Sequence, residues 1–554
     1  VKVVIVGAVA GGMSAATRLR RLGPEHEIVV FERGSEVSYA NCGLPYHVGG
    51  VIPDRRDLLL QTPQSLRARF DLDVRVRSEV VAIDRQAQTV RVRDLDAGTE
   101  YLETWDRLVL SPGAAPFVPD LPGIERALTL RSVADADRLT ALLREKRPAT
   151  AVVVGGGFIG LETAENLHRH GLQVTVVELD SQVLAPIDPE LAALVHAELR
   201  RHGVGLVLGA GVAKVLPDTV ELSDGQVLPA DLVVLAIGVR PETRLATQAG
   251  LDLGPRGGIA VDESMRTSDP HIYAVGDAVE KTDRLDGSSI PVPLANTANR
   301  QGRLVADVIA GRPARLTGRI GTAVVRVFDL TVAVTGWNEK RLRAAGRVHQ
   351  AVHTHPLSHA GYYPGAVPMS LKVLFDPESG AILGAQGVGG EGVDKRIDVL
   401  AVALRAGLSA EDLADLELAY APQYGSAKDP VNMLGYIAEN IRTGMTRTVQ
   451  WHEITDRVAA GAHLLDVRTA AEHAAGCIPG SLNIPVDDLP GRLADLPDGE
   501  LIVYCQLGMR GHTATSLLTG TGHRVANLDG GYRTWSVATA ELAPMLVGRS
   551  VAGT

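Results

Sequence analysis

Short apolar runs, each closed by a glycine or an acid, recur along the first half of this chain. Lys2-Val3-Val4-Ile5-Val6, Glu27–Phe31, Leu108-Val109-Leu110, Ala151–Val154, Val174–Val177, Asp231–Ile237 and His271–Ala274 lack the polar alternation of a half-exposed strand. Runs of this kind mark parallel strands covered on both faces, with helices between them. Helices are predicted from Met13 to about Leu22 and from the second glycine turn through Leu167. From about Thr322 the pattern becomes alternating, as in Ala323-Val324-Val325-Arg326-Val327-Phe328. Ser370–Phe375 and Ala381–Gly384 flank the turn-like Asp376-Pro377-Glu378-Ser379-Gly380 and read as a hairpin, with helices to follow at Ile397–Ala406 and Ala410–Ala414. Beyond a linker near Thr443–Val449, Leu464–Arg468, Leu501–Tyr504 and Arg524–Asn527 are short parallel-type strands separated by helical stretches. The fold class is α/β, with an α+β unit followed by a separate small α/β unit.

At 554 residues the chain has room for several domains of roughly 100–200 residues each. Its 45% hydrophobic and 22% charged content is ordinary for a soluble globular protein. A formal net charge of −10 argues against nucleic acid or an acidic membrane surface as the main partner, and leaves room for a local basic pocket. No apolar run reaches the roughly 18 residues of a membrane-spanning helix. The chain opens on a strand, without a charged-then-apolar leader. Three scattered cysteines, Cys42, Cys477 and Cys505, are not a disulfide framework. The expected compartment is therefore the cytoplasm, where thiols stay reduced. No metal site is expected.

Two glycine-rich turns follow strands. Gly7-Ala8-Val9-Ala10-Gly11-Gly12 has Val9 where a middle glycine is usual, and by itself it suits a plain strand–turn–helix as well as a nucleotide site. Glu32, ending the next strand, adds an acceptor for a ribose hydroxyl, and the pair points to an adenine dinucleotide. Gly155-Gly156-Gly157-Phe158-Ile159-Gly160 is complete. Gly155 supplies the tight turn, Gly157 the backbone approach to phosphates, and Gly160 the close packing of helix on strand. Glu178 would bond a ribose 2′-hydroxyl and repel a 2′-phosphate, so NADH is preferred and NADPH is left open. Ser111-Pro112-Gly113-Ala114 is a strand-to-turn segment where the chain could cross between domains, or a surface turn. Gly276-Asp277 ends another strand, with Asp277 either a ribityl ligand or a simple cap.

Ser38-Tyr39-Ala40-Asn41-Cys42-Gly43-Leu44-Pro45 lies between these motifs and holds one cysteine. A single thiol beside a flavin suits sulfur chemistry on a small substrate better than exchange with a protein dithiol. Near a helix N-terminus, Cys42 is expected to favour thiolate. Cys505-Gln506-Leu507-Gly508-Met509-Arg510 runs from a strand into a helix. Such a loop curls its N–H groups around the sulfur, and Arg510 adds positive charge. Its C-x₄-R spacing is tighter than the C-x₅-R of phosphotyrosine-type phosphatases and fits a persulfide better than a phosphate.

The order of motifs resembles the pyridine nucleotide-disulfide reductase superfamily over about residues 1–445, and residues 38–45 are similar to the single-cysteine motif of coenzyme A-disulfide reductases. Residues of roughly 450–545 resemble a rhodanese domain, in which Asp466-Val467-Arg468 and Gly530-Gly531-Tyr532-Arg533-Thr534-Trp535 would support the cysteine loop. Together they resemble the coenzyme A-disulfide reductase–rhodanese fusions that reduce persulfides and polysulfides. The resemblance implies two Rossmann-like FAD and NAD domains, an α+β dimerisation domain and a rhodanese-like α/β domain. The boundaries are FAD-binding at 1–118 and 241–321, NAD-binding at 119–240, dimerisation at 322–445, and rhodanese with linker at 446–554. FAD falls to Gly7, Gly12, Glu32, Gly113 and Asp277, and NADH to Gly155, Gly157, Gly160 and Glu178. Coenzyme A falls to Ser14, Arg18, Arg21, Ser38, Asn41, Asn299, Arg300 and Lys428. Tyr362 and Tyr420 match tyrosines that reach the active site from a partner subunit, which implies a homodimer. Cys477 stands where the family often has histidine and reads as a structural substitution.

The implied activity is NADH-dependent reduction of coenzyme A persulfide, polysulfide or coenzyme A disulfide at Cys42, with sulfurtransfer at Cys505. Two other readings compete. A flavin NADH oxidase or peroxidase would use a Cys42 sulfenic acid, and Ala10, where those enzymes usually carry histidine, counts against it. A redox-sensing or sulfur-trafficking carrier is disfavoured by two intact cofactor motifs.

Overall fold

Lys2–Val6 becomes the central strand of a five-stranded parallel sheet in the computed structural model, which describes the backbone of residues 1–549 and the side chains of residues 1–540. The strand order is Ile272–Ala274, Arg107–Leu110, Lys2–Val6, Glu27–Phe31, Asp73–Arg75. Val3, Val4 and Ile5 are each 0% exposed, which is why this run carries no polar alternation. One sheet face packs on the helices Ala10–Leu22 and Ala295–Ile309. The other packs on an antiparallel layer through Val80, Val90 and Val92. Each fully buried side chain of this kind contributes about 1.5–3 kcal/mol.

The first helix begins at Ala10, not Met13, so Gly11 and Gly12 are helical and buried. Glycine's poor helix propensity argues for a later start, and close packing overrides it. A Cβ on Gly12 would lie 1.9 Å from the Gly7 carbonyl oxygen. The second nucleotide layer places Thr150–Val154 in parallel between Gln173–Glu178 and Leu232–Leu235. The run 231–237 is strand only over Leu232–Leu235, because the Asp231 carboxylate turns back to accept the Ala149 and Thr150 N–H groups.

The chain divides into two compact units: Val1–Leu179 with Gly209–Arg319, and Asp180–Leu208 with the chain from Ile320 onward. Segment 180–208, expected within the NAD-binding domain, thus packs with the second unit. The second unit holds an antiparallel sheet in the order Ala323–Val327, Leu330–Gly336, Ile382–Gly389, Met369–Phe375, Gln350–Thr354. The expected hairpin is present, pairing Ser370 with Val388 and Phe375 with Ile382. The helix expected from Ile397 starts at Val393. Residues 410–414 give only the 3₁₀ turn Glu411–Asp415, begun where Asp412 accepts the Ser409 N–H and hydroxyl.

A second sheet in this unit is parallel and runs Thr448–Val449, Arg524–Leu528, Glu500–Tyr504, His463–Asp466, Leu482–Asn483. Thr448–Val449 falls in the expected linker and instead forms the edge of this sheet. The expected boundary at residue 554 lies outside the described residues.

Several charges are sealed inside the second unit. The Lys372 ammonium, 0% exposed, lies 2.9 Å from Asp188, 2.5 Å from Glu190 and 2.5 Å from Glu339. Burial works against this ammonium, but the three carboxylates outweigh it and hold its pKa above the usual lysine range. His353 is equally buried, with Nδ1 2.6 Å from Asp529 and Nε2 3.0 Å from Glu190. Burial opposes its charge too, yet Asp529 and Glu190 raise its pKa to about 9.

Two outcomes follow. Lys372→Met leaves three carboxylates buried around a neutral side chain, and it should cost about 3–5 kcal/mol, read as a fall in the melting temperature. The pKa of His353 is raised from 6.5 in the folded state, so its contribution is full below pH 6.5 and is lost as pH rises through about 9. The wild-type melting temperature should therefore drop between pH 7 and pH 10, and His353→Gln should flatten that drop.

Candidate functional site

Cys42 sits in a short 3₁₀ turn, Asn41–Gly43, that leads into the helix Leu44–Val48. It is exposed, and like Cys477 and Cys505 it is a free thiol. Partial burial, then the carboxylates of Glu162 and Asp277, push its pKa up, and only Arg131 opposes them. This corrects the expected thiolate. The helix behind Cys42 has five residues, and the nearby side-chain charges are mainly acidic.

The loop carrying Cys42 is fastened to the first glycine turn. Ser38 takes a left-handed conformation, φ 46°, and its N–H donates to the Ala8 carbonyl (2.8 Å). Arg131 donates to the Ala114 carbonyl (2.9 Å) and lies against Gly113, where a Cβ would come within 2.9 Å of its guanidinium. Asp277 is raised by burial, with Lys281 and Arg131 drawing it back. Its backbone is held by the Gly276 N–H donating to Gln301 and by Lys281 Nζ donating to the Gly276 carbonyl. The Lys281 pKa is lowered to about 8 by burial, with Asp277 partly restoring it. Cys42, Asp277 and Arg131 thus act on one another electrostatically.

The residues at both turns fit dinucleotides. A Cβ on Gly157 would meet no protein atom within 4 Å, so packing does not require glycine there, whereas a backbone approach to phosphates does. Glu178 accepts the Gly156 N–H (2.7 Å). Glu32 accepts the N–H groups of Ala8 (3.0 Å) and Gly34 (2.8 Å), at a cleft lined by Val6, Gly7, Phe31, Pro112 and Leu245.

Two basic residues of the first helix already have partners within the chain. Arg18 pairs with Asp307 (2.7 Å), and Arg21 lies over the Phe70 ring, 5.2 Å from its centroid. Neither stands as an unpartnered phosphate ligand. Ser14 and Asn299 are joined by a 2.9 Å hydrogen bond, and Arg300 beside them is exposed. In the second unit Lys428 is exposed. Tyr362 and Tyr420, 58 residues apart, share a 2.9 Å hydroxyl–hydroxyl hydrogen bond although both are exposed.

Cys505 is buried at the end of Glu500–Tyr504 and ahead of the helix Met509–Gly520. The Gly508 N–H points at its sulfur (3.1 Å), as expected of an anion-accepting loop. Arg468 anchors this loop from below. It pairs with Asp466 (2.7 Å) and donates to the Gln506 side chain (3.1 Å). Arg510 acts on Cys505 as expected but shares its charge with Glu472. Its guanidinium forms a two-pronged pair with Glu472 (2.8 and 2.6 Å), so its charge near Cys505 is partly neutralised.

Four residues of these sites escaped the sequence reading: Tyr46, Glu162, Arg131 and Glu472. Tyr46 lies one helical turn beyond Cys42, which was a usable signal, and its hydroxyl donates to Glu162 (2.7 Å). Burial and that bond raise the Tyr46 pKa, and burial raises that of Glu162. No local pattern could have linked positions 116 residues apart.

Three family models match the chain: pyridine nucleotide-disulphide oxidoreductase at residues 1–302, the dimerisation domain of that family at 322–429, and rhodanese-like domain at 450–538. The coenzyme A disulfide reductase of Staphylococcus haemolyticus is 34% identical over 441 residues, 79% of this chain and 100% of that protein. The crystal structure of reduced CoADR-RHD from Bacillus anthracis is 50% identical and superposes with a TM-score of 0.96, covering 98% of each chain. A NAD-dependent persulfide reductase from A. fulgidus is 38% identical, with a TM-score of 0.91 over 97% of this chain and 100% of that one. No helix among the described residues is long and apolar enough to cross a membrane.

The acidic surroundings of Cys42 can be tested directly. Glu162→Gln removes a negative charge that disfavours the thiolate, so it should speed alkylation of Cys42 at neutral pH. The check is the pH dependence of iodoacetamide labelling in a Cys477→Ser, Cys505→Ser background. An unchanged profile would mean that Glu162 does not control this thiol.

Proposed function

This chain belongs to the pyridine nucleotide-disulphide oxidoreductases, FAD-dependent enzymes that use a pyridine nucleotide, and from that premise we propose that it reduces coenzyme A persulfide, polysulfide or coenzyme A disulfide with NADH. The observation that carries this reading is the separation of two single-cysteine sites, one in each unit, with no second cysteine in the unit that holds Cys42. A lone thiol suits a mixed disulfide or persulfide with a small substrate.

FAD, held by Gly7, Gly12, Glu32 and Asp277, would when bound relay an electron pair from NADH to sulfur. Gly155, Gly157 and Gly160 would hold the NADH, with the Glu178 carboxylate disfavouring a 2′-phosphate. Cys42 Sγ loses its proton and attacks the outer sulfur of coenzyme A persulfide. The S–S bond of the persulfide breaks, the coenzyme A thiolate leaves and is protonated, and Cys42 carries the sulfur as a persulfide. Two electrons then cleave that S–S bond, releasing sulfide and restoring Cys42. The balance is NADH, one proton and coenzyme A persulfide giving NAD⁺, coenzyme A and hydrogen sulfide.

Burial and the Glu162 and Asp277 carboxylates raise the pKa of the Cys42 thiol, and Arg131 is the cation that opposes them. Ser14, Ser38, Asn41 and Asn299 would position coenzyme A. Arg21, Arg300 and Lys428 would meet its phosphates, and Arg18 would do so only by sharing its charge with Asp307. In a homodimer built on the dimerisation domain, the partner subunit's Tyr362 and Tyr420 would reach the site and protonate the departing sulfur. Cys505 would accept sulfane sulfur from a donor and load it onto coenzyme A, and joining the two sites in one chain raises their effective concentration.

Anaerobic NADH oxidation with sulfide detection tests this reading. Cys42→Ser should abolish reduction, and Cys505→Ser should spare reduction of preformed coenzyme A persulfide while abolishing sulfurtransfer. Full reductase activity in Cys42→Ser would refute the mechanism.

A further inference from the structure

The segment that braces the Cys505 loop is itself held by a strand from outside its own sheet. Tyr532 N–H donates to the Cys505 carbonyl (2.8 Å) and Arg533 N–H to the Gln506 carbonyl (3.1 Å). Gly531, at φ 63°, passes so close that a Cβ there would lie 2.5 Å from the Cys505 carbonyl oxygen. Residues 529–534 therefore fix the backbone on which the sulfur sits.

Their other side is gripped by Gln350–Thr354, an edge strand of the antiparallel sheet, and by His355 just beyond it. The His353 backbone N–H donates to both Asp529 carboxylate oxygens, each at 3.1 Å, and its Nδ1 lies 2.6 Å from the same carboxylate. Its Nε2 is tied to Glu190, 3.0 Å away, on the helix Pro189–Arg201. His355, two residues later, places Nε2 2.7 Å from Thr534 Oγ1 and Nδ1 2.9 Å from Ser370 Oγ. Gln450 bridges the two segments, donating to Asp529 and to the Ala351 carbonyl.

The two histidines differ in charge. His353 lies between two carboxylates and is held as the cation. Burial and the cations His353 and Arg533 lower the His355 pKa to about 3, so it is neutral at working pH. Both grip the bracing segment, His353 from the strand and His355 from just beyond its end.

We propose that His353 and His355 are positioning residues of the sulfur-accepting loop, so that the sheet of the dimerisation domain forms part of the sulfurtransfer site at Cys505. The proposal rests on the sulfurtransfer reading and names residues outside the rhodanese-like region as determinants of it. They do not touch substrate. They act through Asp529 and Thr534, which fix the backbone around Cys505.

The test uses the full chain loaded with FAD, with His353→Gln and Thr534→Val made separately. Thr534→Val removes one hydroxyl and guards against a folding failure of the first variant. Transfer from thiosulfate to cyanide should fall about 10-fold or more in kcat, since small misplacement of a reacting group costs rate, with little change in KM for thiosulfate. The pH profile of Cys505 alkylation, read in a Cys42→Ser, Cys477→Ser background, should shift, and NADH-linked reduction should stay at the wild-type rate. A folded variant with wild-type sulfur transfer and an unshifted Cys505 profile would overturn the proposal, as would parallel loss of NADH-linked reduction. Should the wild type transfer no sulfur from thiosulfate, the sulfurtransfer reading fails, and the Cys505 alkylation profile still decides the positioning role.

Discussion

At Gly12 and again at Gly160 the helix backbone passes over the carbonyl oxygen of the glycine that opened the turn, and a side chain there would sit 1.9 Å from it. That approach sets the angle between strand and helix at each turn. The first N–H groups of each helix, which have no partner within it, are thereby left at the end of the strand. The Ser38–Ala8 hydrogen bond fastens the Cys42 loop to the first of these turns. Loss of the glycine contact would displace the helix and the loop with it.

The two sulfurs sit in different surroundings. Around Cys42 burial and two carboxylates favour the neutral thiol. Beside it burial raises the pKa of Tyr46 and of Glu162, and the Tyr46 hydroxyl donates to the Glu162 carboxylate. Cys505 instead receives a backbone N–H, in a loop braced by Arg468 and Gln506. A fixed N–H dipole of this kind offers that sulfur a hydrogen bond without any rearrangement of the loop.

In the second unit the expensive element is the sealed charge cluster. Desolvating an ammonium, an imidazolium and four carboxylates costs far more than burying apolar side chains of the same size. Pairing offsets that cost only when every partner is in place. Asp188 and Glu190, Glu339, His353 and Lys372, and Asp529 come from three separate stretches of chain. Their geometry selects one arrangement of those stretches, which apolar packing alone would leave less sharply defined.

The strands and their order of motifs were legible because a run such as Val3-Val4-Ile5 carries burial on both faces in its own composition. Gly155 and Gly160 announce their role in the same way, since only glycine meets the local demands for space there. The cysteine loops were legible because each lies between a strand and a helix. Contacts made across long separations were not. Nothing near Cys42 says that Glu162 will raise its pKa, or that Asp307 will claim Arg18 and Glu472 will claim Arg510. The start of the first helix at Ala10 and the edge strand Thr448–Val449 were decided by packing partners far away in sequence. Local spacing encodes which backbone shapes are possible, whereas desolvation and pairing depend on which side chains the fold brings within a few ångströms, and only the tertiary structure holds that.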